Sequence, residues 1–208
     1  MRNVTTTIVL LLVFLSTVCS VHAYVYYVEA EAFDPDTSVL SAGGGTWTIT
    51  EDENVSNEKY MKYSGPHTGA NTSLFYTLPD INDNPGQCRV WFHCLSPNNW
   101  TDSYFVYIST DGGEDWGLQQ TVVPAVIPDD WQWMDFVPTP QFERGEGNVL
   151  RIAEREDANL DLICIRNDAA APSVEDYVLW IEDWEAKLEP VEPIHKMATT
   201  WGSIRSEY

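Results

Sequence analysis

The chain has 208 residues and carries 32 acidic against 11 basic side chains, a formal net charge of −21. That balance excludes nucleic acid as a partner, because phosphate backbones are bound through Lys and Arg, and it disfavours anionic lipid surfaces. Neutral sugars, cations and basic partners remain.

The first element is "MRNVTTTIVLLLVFLSTVCSVHA" (1–23). It opens with Arg2, runs apolar from Ile8 to Leu15 and closes on Val21-His22-Ala23, the pattern of a secretory signal peptide cleaved near Ala23. The apolar run is too short for a membrane span, and no later stretch is apolar enough. The expectation is a secreted, extracellular protein with no membrane span.

Residues 24–168 read as all-β. "YVYYVEAEAF" (24–33), "TWTIT" (46–50), "EKYMKY" (58–63), "SLFYTL" (73–78), "QCRVWFHCL" (87–95), "SYFVYIST" (103–110), "WQWMDFV" (131–137), "NVLRIAERE" (148–156) and "NLDLICIRN" (159–167) are short β-branched and aromatic runs. Gly, Pro, Asn and Asp clusters separate them, as in a sandwich or barrel. Alternation within "QCRVWFHCL" puts Cys88, Val90, Phe92 and Cys94 on a core face and Arg89, Trp91 and His93 on the other. In "NVLRIAERE", Leu150 and Ile152 point in, while Arg151, Ala153 and Arg155 point out.

After a linker, "SVEDYVLWIEDWEAKLE" places Val174, Tyr177, Val178, Ile181, Trp184 and Leu188 at helical spacing. Ser173 with Asp176 forms a capping box, and Pro190 and Pro193 stop the helix, which is expected over 174–189. The organisation is therefore a signal peptide (1–23), a β-sandwich (24–168), and a linker, amphipathic helix and tail (169–208). The helix or tail is the expected contact for any protein partner.

Past residue 23 the cysteines are Cys88, Cys94 and Cys164, an odd number that does not make a disulfide framework. Cys88 and Cys94 share a strand and cannot bridge. A Cys94–Cys164 bridge and three buried free thiols both remain open.

No catalytic signature is present. His67, His93 and His195 lie in no G-x-S-x-G or metal-spacing motif, and there is no Walker loop. A small glycoside hydrolase needs two facing carboxylates at defined spacing; without a cleft-forming insertion the reading is a non-enzyme with no catalytic residues. "STDGGEDW" (109–116) matches the Asp-box seen in sialidases and other propeller proteins, where it is structural. Its chemistry is a tight hairpin: Asp111 accepts backbone N–H groups, Gly112 and Gly113 allow positive φ, and Trp116 packs beneath.

In "VEAEAF" (28–33), Glu29 and Glu31 fall two apart on the expected strand, about 7 Å from each other on one face. Two like charges so placed gain little unless a cation or Arg joins them. A calcium fits that oxygen chemistry; a solvated edge strand is the alternative.

"YYVEAEAF", "GGGTWTITEDENVSNEKYMKYSG", "QCRVWFHC", "DSYFVYISTDGG", "DDWQWMDF" and "VLRIAEREDANLDLICIRND" together resemble, in order and spacing, family 6 and family 35 carbohydrate-binding modules over residues 24–168. The resemblance implies a galactose-binding-like jelly-roll β-sandwich with a structural calcium and no catalytic activity. It implies sugar binding through loops at one end of the sandwich or on the concave face. Carried over, the loop site uses Tyr60 and Trp131 to clamp a pyranose and Asn159 to hydrogen-bond its hydroxyls. Calcium falls to Glu29, Glu31 and Asp168. Trp131 is expected exposed as the platform and Trp133 packed in the core; a concave-face site would lie near Trp91. Where such modules carry Gly near Tyr60, this chain has "VSNEKYM", and Lys59 and Lys62 either select an acidic sugar or close the site. Asp161 is either structural or part of the pocket.

The partner is thus a polysaccharide or glycan, and the alternative is a degenerate jelly roll serving as a structural or protein-interaction module. Asn54, Asn71 and Asn99 stand in N-glycosylation sequons.

Overall fold

The structure, a computed structural model, describes residues 24–66, 71–78, 86–96, 103–122, 130–136, 141–142, 147–157, 159–168 and 170–187. The expected leader, His67, Asn99 and the tail with His195 lie outside the described residues. The chain divides into two compact units, Met1–Ala171 and Pro172–Tyr208.

The first unit is an all-β sandwich. Its larger sheet runs β10 (Gln132–Asp135), β7 (Arg89–Leu95), β13 (Asn159–Arg166), β4 (Lys59–Ser64), β3 (Gly45–Glu51) and β2 (Ser41–Ala42), with β1 (Val25–Glu29) also pairing antiparallel with β13. The facing sheet runs β5 (Ser73–Thr77), β12 (Val149–Glu154), β8 (Tyr104–Ser109) and β9 (Leu118–Val122). β6 (Gly86–Gln87) and β11 (Gln141–Phe142) form a small ribbon.

The alternation read from the sequence holds on both sheets. Val90, Phe92 and Cys94 of β7 join Leu160, Ile163 and Ile165 of β13 in one core with Val106, Ile108, Leu150 and Ile152 from the facing sheet. Phe92 meets Tyr104 edge to face, 5.6 Å between ring centres. Cys88, Cys94 and Cys164 are buried free thiols, so the bridge left open does not form. Burial pushes the Cys88 and Cys94 thiols up to about 12.

β13 is the central strand, and it contains a bulge between Leu160 and Leu162. Leu160 faces Cys94 in the core, while Leu162 faces His93 on the outer side. The extra residue is Asp161, left out of the pairing with β7. A bulge inserts one residue and re-aims its side chain.

The "STDGGEDW" turn links β8 to β9 as the hairpin reading expects. Asp111 Oδ1 accepts the Ser109 hydroxyl at 2.6 Å and the Glu114 and Asp115 N–H groups at 3.0 Å each. Gly113, at φ 90°, lets the turn pass close under Trp116.

Within the second unit, the helix α1 spans Val174–Lys187 and starts on the expected capping box. The Ser173 hydroxyl accepts the Asp176 N–H at 3.1 Å, and Asp176 accepts the Ser173 N–H at 3.0 Å. Trp180 stacks on Tyr177 and on Trp184. No helix among the described residues is long and apolar enough to cross a membrane.

One fully buried carboxylate ties the facing sheet to its connection. Glu154 accepts the Asn71 and Thr72 N–H groups at 2.5 Å each and the Thr72 hydroxyl at 2.8 Å. Glu154→Ala strands these buried donors and is expected to destabilise the protein by about 3 kcal/mol. Glu154→Gln, which keeps one acceptor oxygen, is expected to cost about half as much. Urea denaturation of the two variants checks the order.

Candidate functional site

The bulge aims Asp161 outward beneath the outer face of the larger sheet, where it is fully buried. One oxygen accepts His93 Nδ1–H at 2.6 Å. The other accepts the Ser56 hydroxyl at 2.5 Å and the Ser56 N–H at 3.2 Å. The Ser56 hydroxyl also reaches Glu29 Oε2, at 2.7 Å. Next to it, Asn57 Nδ2 donates to Glu31 Oε1 at 2.9 Å. The loop Ser56–Glu58 is therefore sewn to β1 and β13. It needs the stitching, because Asn57 and Glu58 hold φ of 48° and 56°, a conformation that costs side-chain-bearing residues about 1 kcal/mol or more each.

His93, only 4% exposed, lies between two indoles. Its ring centre is 5.5 Å from Trp131 and 4.9 Å from Trp133, with the planes tilted by 33° and 30°. This corrects the expectation that Trp133 packs in the core. Trp133 pairs with His93 across β10 and β7, which fixes it on the outer face and sends Met134 inward instead.

Trp131 and Tyr60 come together as expected, but not as a clamp. Their rings meet edge to face at 5.2 Å and 70°, leaving no slot for a pyranose between them. Tyr60 is 9% exposed and Trp131 is half-buried. The Asn54 backbone and side-chain N–H groups hold the neighbouring Asp52 carboxyl below the usual range. Trp131 thus packs against Tyr60 and His93.

Asn159, 6% exposed, lies opposite Lys62 of β4, one outward position along from Tyr60. Its Oδ1 is buried without a partner among the described residues, an acceptor awaiting a donor. The strained loop and its flanks, Glu51, Asp52, Glu53, Asn57, Glu58 and Lys59, line an open depression of about 630 Å³ beside this cluster.

The expected calcium ligands part company. β1 ends at Glu29, and Ala30 and Glu31 turn away from the strand, yet both carboxylates still reach the Ser56–Asn57 loop. Asp168 does not join them. It pairs with Arg166 at the other end of the β1–β13 ladder, and that guanidinium holds the Asp168 carboxyl down. The acid beside Glu29 is Asp161, through Ser56. Glu31 Oε2 is buried with no partner, and burial raises the Glu31 carboxyl above its usual range. Among the described residues no group of three or more His, Cys, Asp and Glu side chains converges as a metal site.

A second aromatic surface escaped the sequence reading. On the outer face of the smaller sheet, Phe75, Arg151 and Tyr107 stand in one cross-strand row. The Arg151 guanidinium lies 4.8 Å from the Tyr107 ring centre and 5.6 Å from Phe75, with Nε donating to Ser73 at 2.9 Å. Trp116 of the Asp-box turn meets both rings edge-on. The signal present was the outward Arg151; nothing in the sequence said which aromatics pair across from it.

No family model and no curated protein matches the chain. Similar solved structures include the exo-β-1,3-galactanase of Phanerochaete chrysosporium with galactose, at TM-score 0.48 and 17% identity over 68% of this chain. The chain spans 29% of that enzyme's length. A family 6 carbohydrate-binding module of Clostridium stercorarium, in complex with cellobiose, is similar at TM-score 0.44 and 12% identity, over 66% of this chain and 90% of the module. The Podospora anserina GH26-CBM35 β-(1,4)-mannanase is similar at TM-score 0.47 and 11% identity, over 71% of this chain and 28% of the enzyme.

Removing the Asp161 carboxylate strands buried groups on two segments, Ser56 and His93. Asp161→Ala is expected to destabilise by about 3–5 kcal/mol, and Ser56→Ala, which keeps the backbone bond, by about 1 kcal/mol. Chemical denaturation of the two variants reads the difference.

Proposed function

We propose that the protein is a secreted, non-catalytic carbohydrate-binding protein. Its ligand packs on the outer side of Trp131. The single observation behind this is the packing of that indole: Tyr60 and His93 pack against it while it stays partly exposed. A rigid aromatic face suits the C–H face of a pyranose, and the hydroxyls then need directed polar partners. Asn159, opposite Lys62 on the same outward side as Tyr60, is the amide expected to serve one of them. Tyr60 buttresses the indole rather than sandwiching the sugar. A hydrolytic role is disfavoured because the buried Asp161 already spends its oxygens on Ser56 and His93.

A second reading places the sugar on the smaller sheet, where Arg151 among Phe75, Tyr107 and Trp116 favours a uronate or other anionic sugar. A planar guanidinium stacked on aromatics presents its remaining edge to a carboxylate. The two readings separate by ligand charge as well as by residue.

Calcium belongs to the same proposal. Glu29 and Glu31, which both reach the Ser56–Asn57 loop, are the carboxylates that would hold a hard cation, with Asp168 at the other end of the ladder. When bound, the ion supplies positive charge to an acidic pocket and ties the Ser56–Glu58 loop to β1.

Native-gel retardation in soluble neutral and acidic polysaccharides tests the binding. Trp131→Ala is expected to weaken retardation by a neutral polysaccharide about tenfold, the roughly 1.4 kcal/mol that one stacked face supplies. Loss in Tyr107→Ala with an acidic polysaccharide, and none in Trp131→Ala, moves the site to the sheet. Retardation by none of them ends both readings. For the metal, calcium at about a hundredfold excess over its Kd is expected to add about 2.7 kcal/mol to unfolding stability; identical melts in calcium and in chelator refute it.

A further inference from the structure

The larger sheet ends on an edge that the chain covers only in part. β2 pairs Ser41 with Thr46 and Ala42 with Gly45 of β3, and the Leu40 carbonyl accepts the Trp47 N–H at 2.8 Å. One residue before Leu40, Val39 belongs to the facing sheet, where it exchanges backbone hydrogen bonds with Ser73 at 2.8 and 2.9 Å. The rest of β3, residues 48–51, pairs with β4 on one side and with no described residue on the other. Backbone groups alternate sides along an antiparallel strand. The Trp47 N–H points to the β2 side, and the Asp52 N–H reaches Glu58 on the β4 side. The N–H and C=O groups of Ile49 and Glu51 therefore point out from the edge.

This edge is apolar as well. Val39, Leu40 and Ile49 are the exposed large hydrophobic residues among those described in the sandwich. Ile49 stands opposite Met61 and two residues from Trp47, both of them core residues, so its side chain lies on the core-facing side of the sheet. It is nonetheless 53% exposed. Sheet edges are commonly closed by lysine, proline, a bulge or a covering segment. β5 is closed in the last way: the Phe75 carbonyl accepts the Asp34 N–H at 2.7 Å, and the Phe75 N–H donates to the Ser38 hydroxyl at 2.9 Å. Thr48, Ile49 and Thr50 carry none of these devices among the described residues. At its C-terminal end the same strand runs into the acidic depression, where Glu51, Asp52, Glu53 and Glu58 face one lysine, Lys59.

We propose that the β3 edge at residues 49–51 docks a basic, extended segment of a partner protein, which adds a strand beside β3 and sets a lysine or arginine over the depression. Main-chain bonds supply affinity in such strand addition, and alternate side chains supply the choice of partner. In a strand antiparallel to β3, the residue opposite Glu51 comes two before the residue opposite Ile49, and both side chains share one face. The recognised pattern is a basic residue, any residue, then valine or isoleucine. A second copy is a poor occupant, because chains of net charge −21 repel each other.

The inference stands apart from the proposed function and uses none of its sugar-binding residues. Its test takes the full chain and a fluorescein-labelled peptide of two lysines followed by alternating threonine and valine. Fluorescence polarisation is expected to show binding that falls about tenfold when the lysines become glutamates, and about tenfold in Ile49→Pro, which removes an outward donor and an apolar contact. Proline is tolerated where an edge N–H faces solvent, and thermal melting checks that this variant is folded. Glu51→Lys leaves the backbone groups in place and is expected to weaken the lysine peptide while strengthening the glutamate peptide. Amide exchange at Ile49 and Glu51 is expected to slow several-fold in the complex. No binding at about 1 mM peptide, equal binding of the two peptides, or unchanged binding in both variants overturns the proposal. So does a dimer in sedimentation that Ile49→Pro dissolves, which gives the edge to a second copy. Gel retardation by polysaccharides reads the proposed function separately, so the two can fail independently.

Discussion

The outer face of the larger sheet depends on one buried carboxylate. Asp161 is delivered there by the bulge in the central strand, and its two oxygens serve separate segments, His93 on β7 and Ser56 on the β3–β4 loop. A fully buried acid is tolerable only when both its oxygens are hydrogen-bonded. The Ser56 and His93 contacts meet that condition, and they hold the loop in a backbone conformation its residues would not otherwise choose. With His93 fixed from below, Trp131 and Trp133 have a flat ring to pack on from either side. Serine, histidine and aspartate are all present, but the aspartate stands between the other two. The order that activates a serine nucleophile, with histidine in the middle, is not formed.

Charge explains why the two aromatic surfaces differ. The rim at Trp131 adjoins the acidic depression, so anions are repelled and hydroxyl donors are welcome. The outer face of the smaller sheet is the opposite. Its described outward positions in the central rows, Ser73, Phe75, Phe105, Tyr107, Arg151 and Ala153, include no carboxylate, and its charge is a guanidinium. In a chain with 32 acids, a face without them is a segregation of charge.

Much of this was legible in the residues and some was not. Period-two alternation in "QCRVWFHCL" and "NVLRIAERE" assigned the inward faces correctly, because one buried face leaves little freedom of register. The capping box at Ser173 and the Asp-box turn were local, and local hydrogen bonding follows from nearby sequence. What failed was long-range. The strand β9 at Leu118–Val122 went unread because "LQQTV" has two glutamines where a half-buried strand shows β-branched residues. Trp133 was put inside because its cross-strand partner was unknown; pairing with His93 decided its face. Asp168 was grouped with Glu29 by family likeness, whereas the antiparallel β1–β13 register sends it to the far end.

The bulge also bears on Asn159, a residue of the expected sugar site. Before the extra residue, β13 alternates so that Asn159 faces outward and Leu160 faces the core; after it, Leu162 faces outward again. Asn159 and Asp161 therefore lie on the same side, two residues apart, one with an unused acceptor and one fully engaged. A regular strand in the register set by Leu160 would carry Leu162 into the core and leave Ile163 outside. The protein gains an outward carboxylate without giving up core packing, because the bulge shifts the phase after Asp161 has been turned out. The outward placement of Asp161 and the core packing of Ile163 and Ile165 thus share one origin, the single residue of the central strand left out of its pairing with β7.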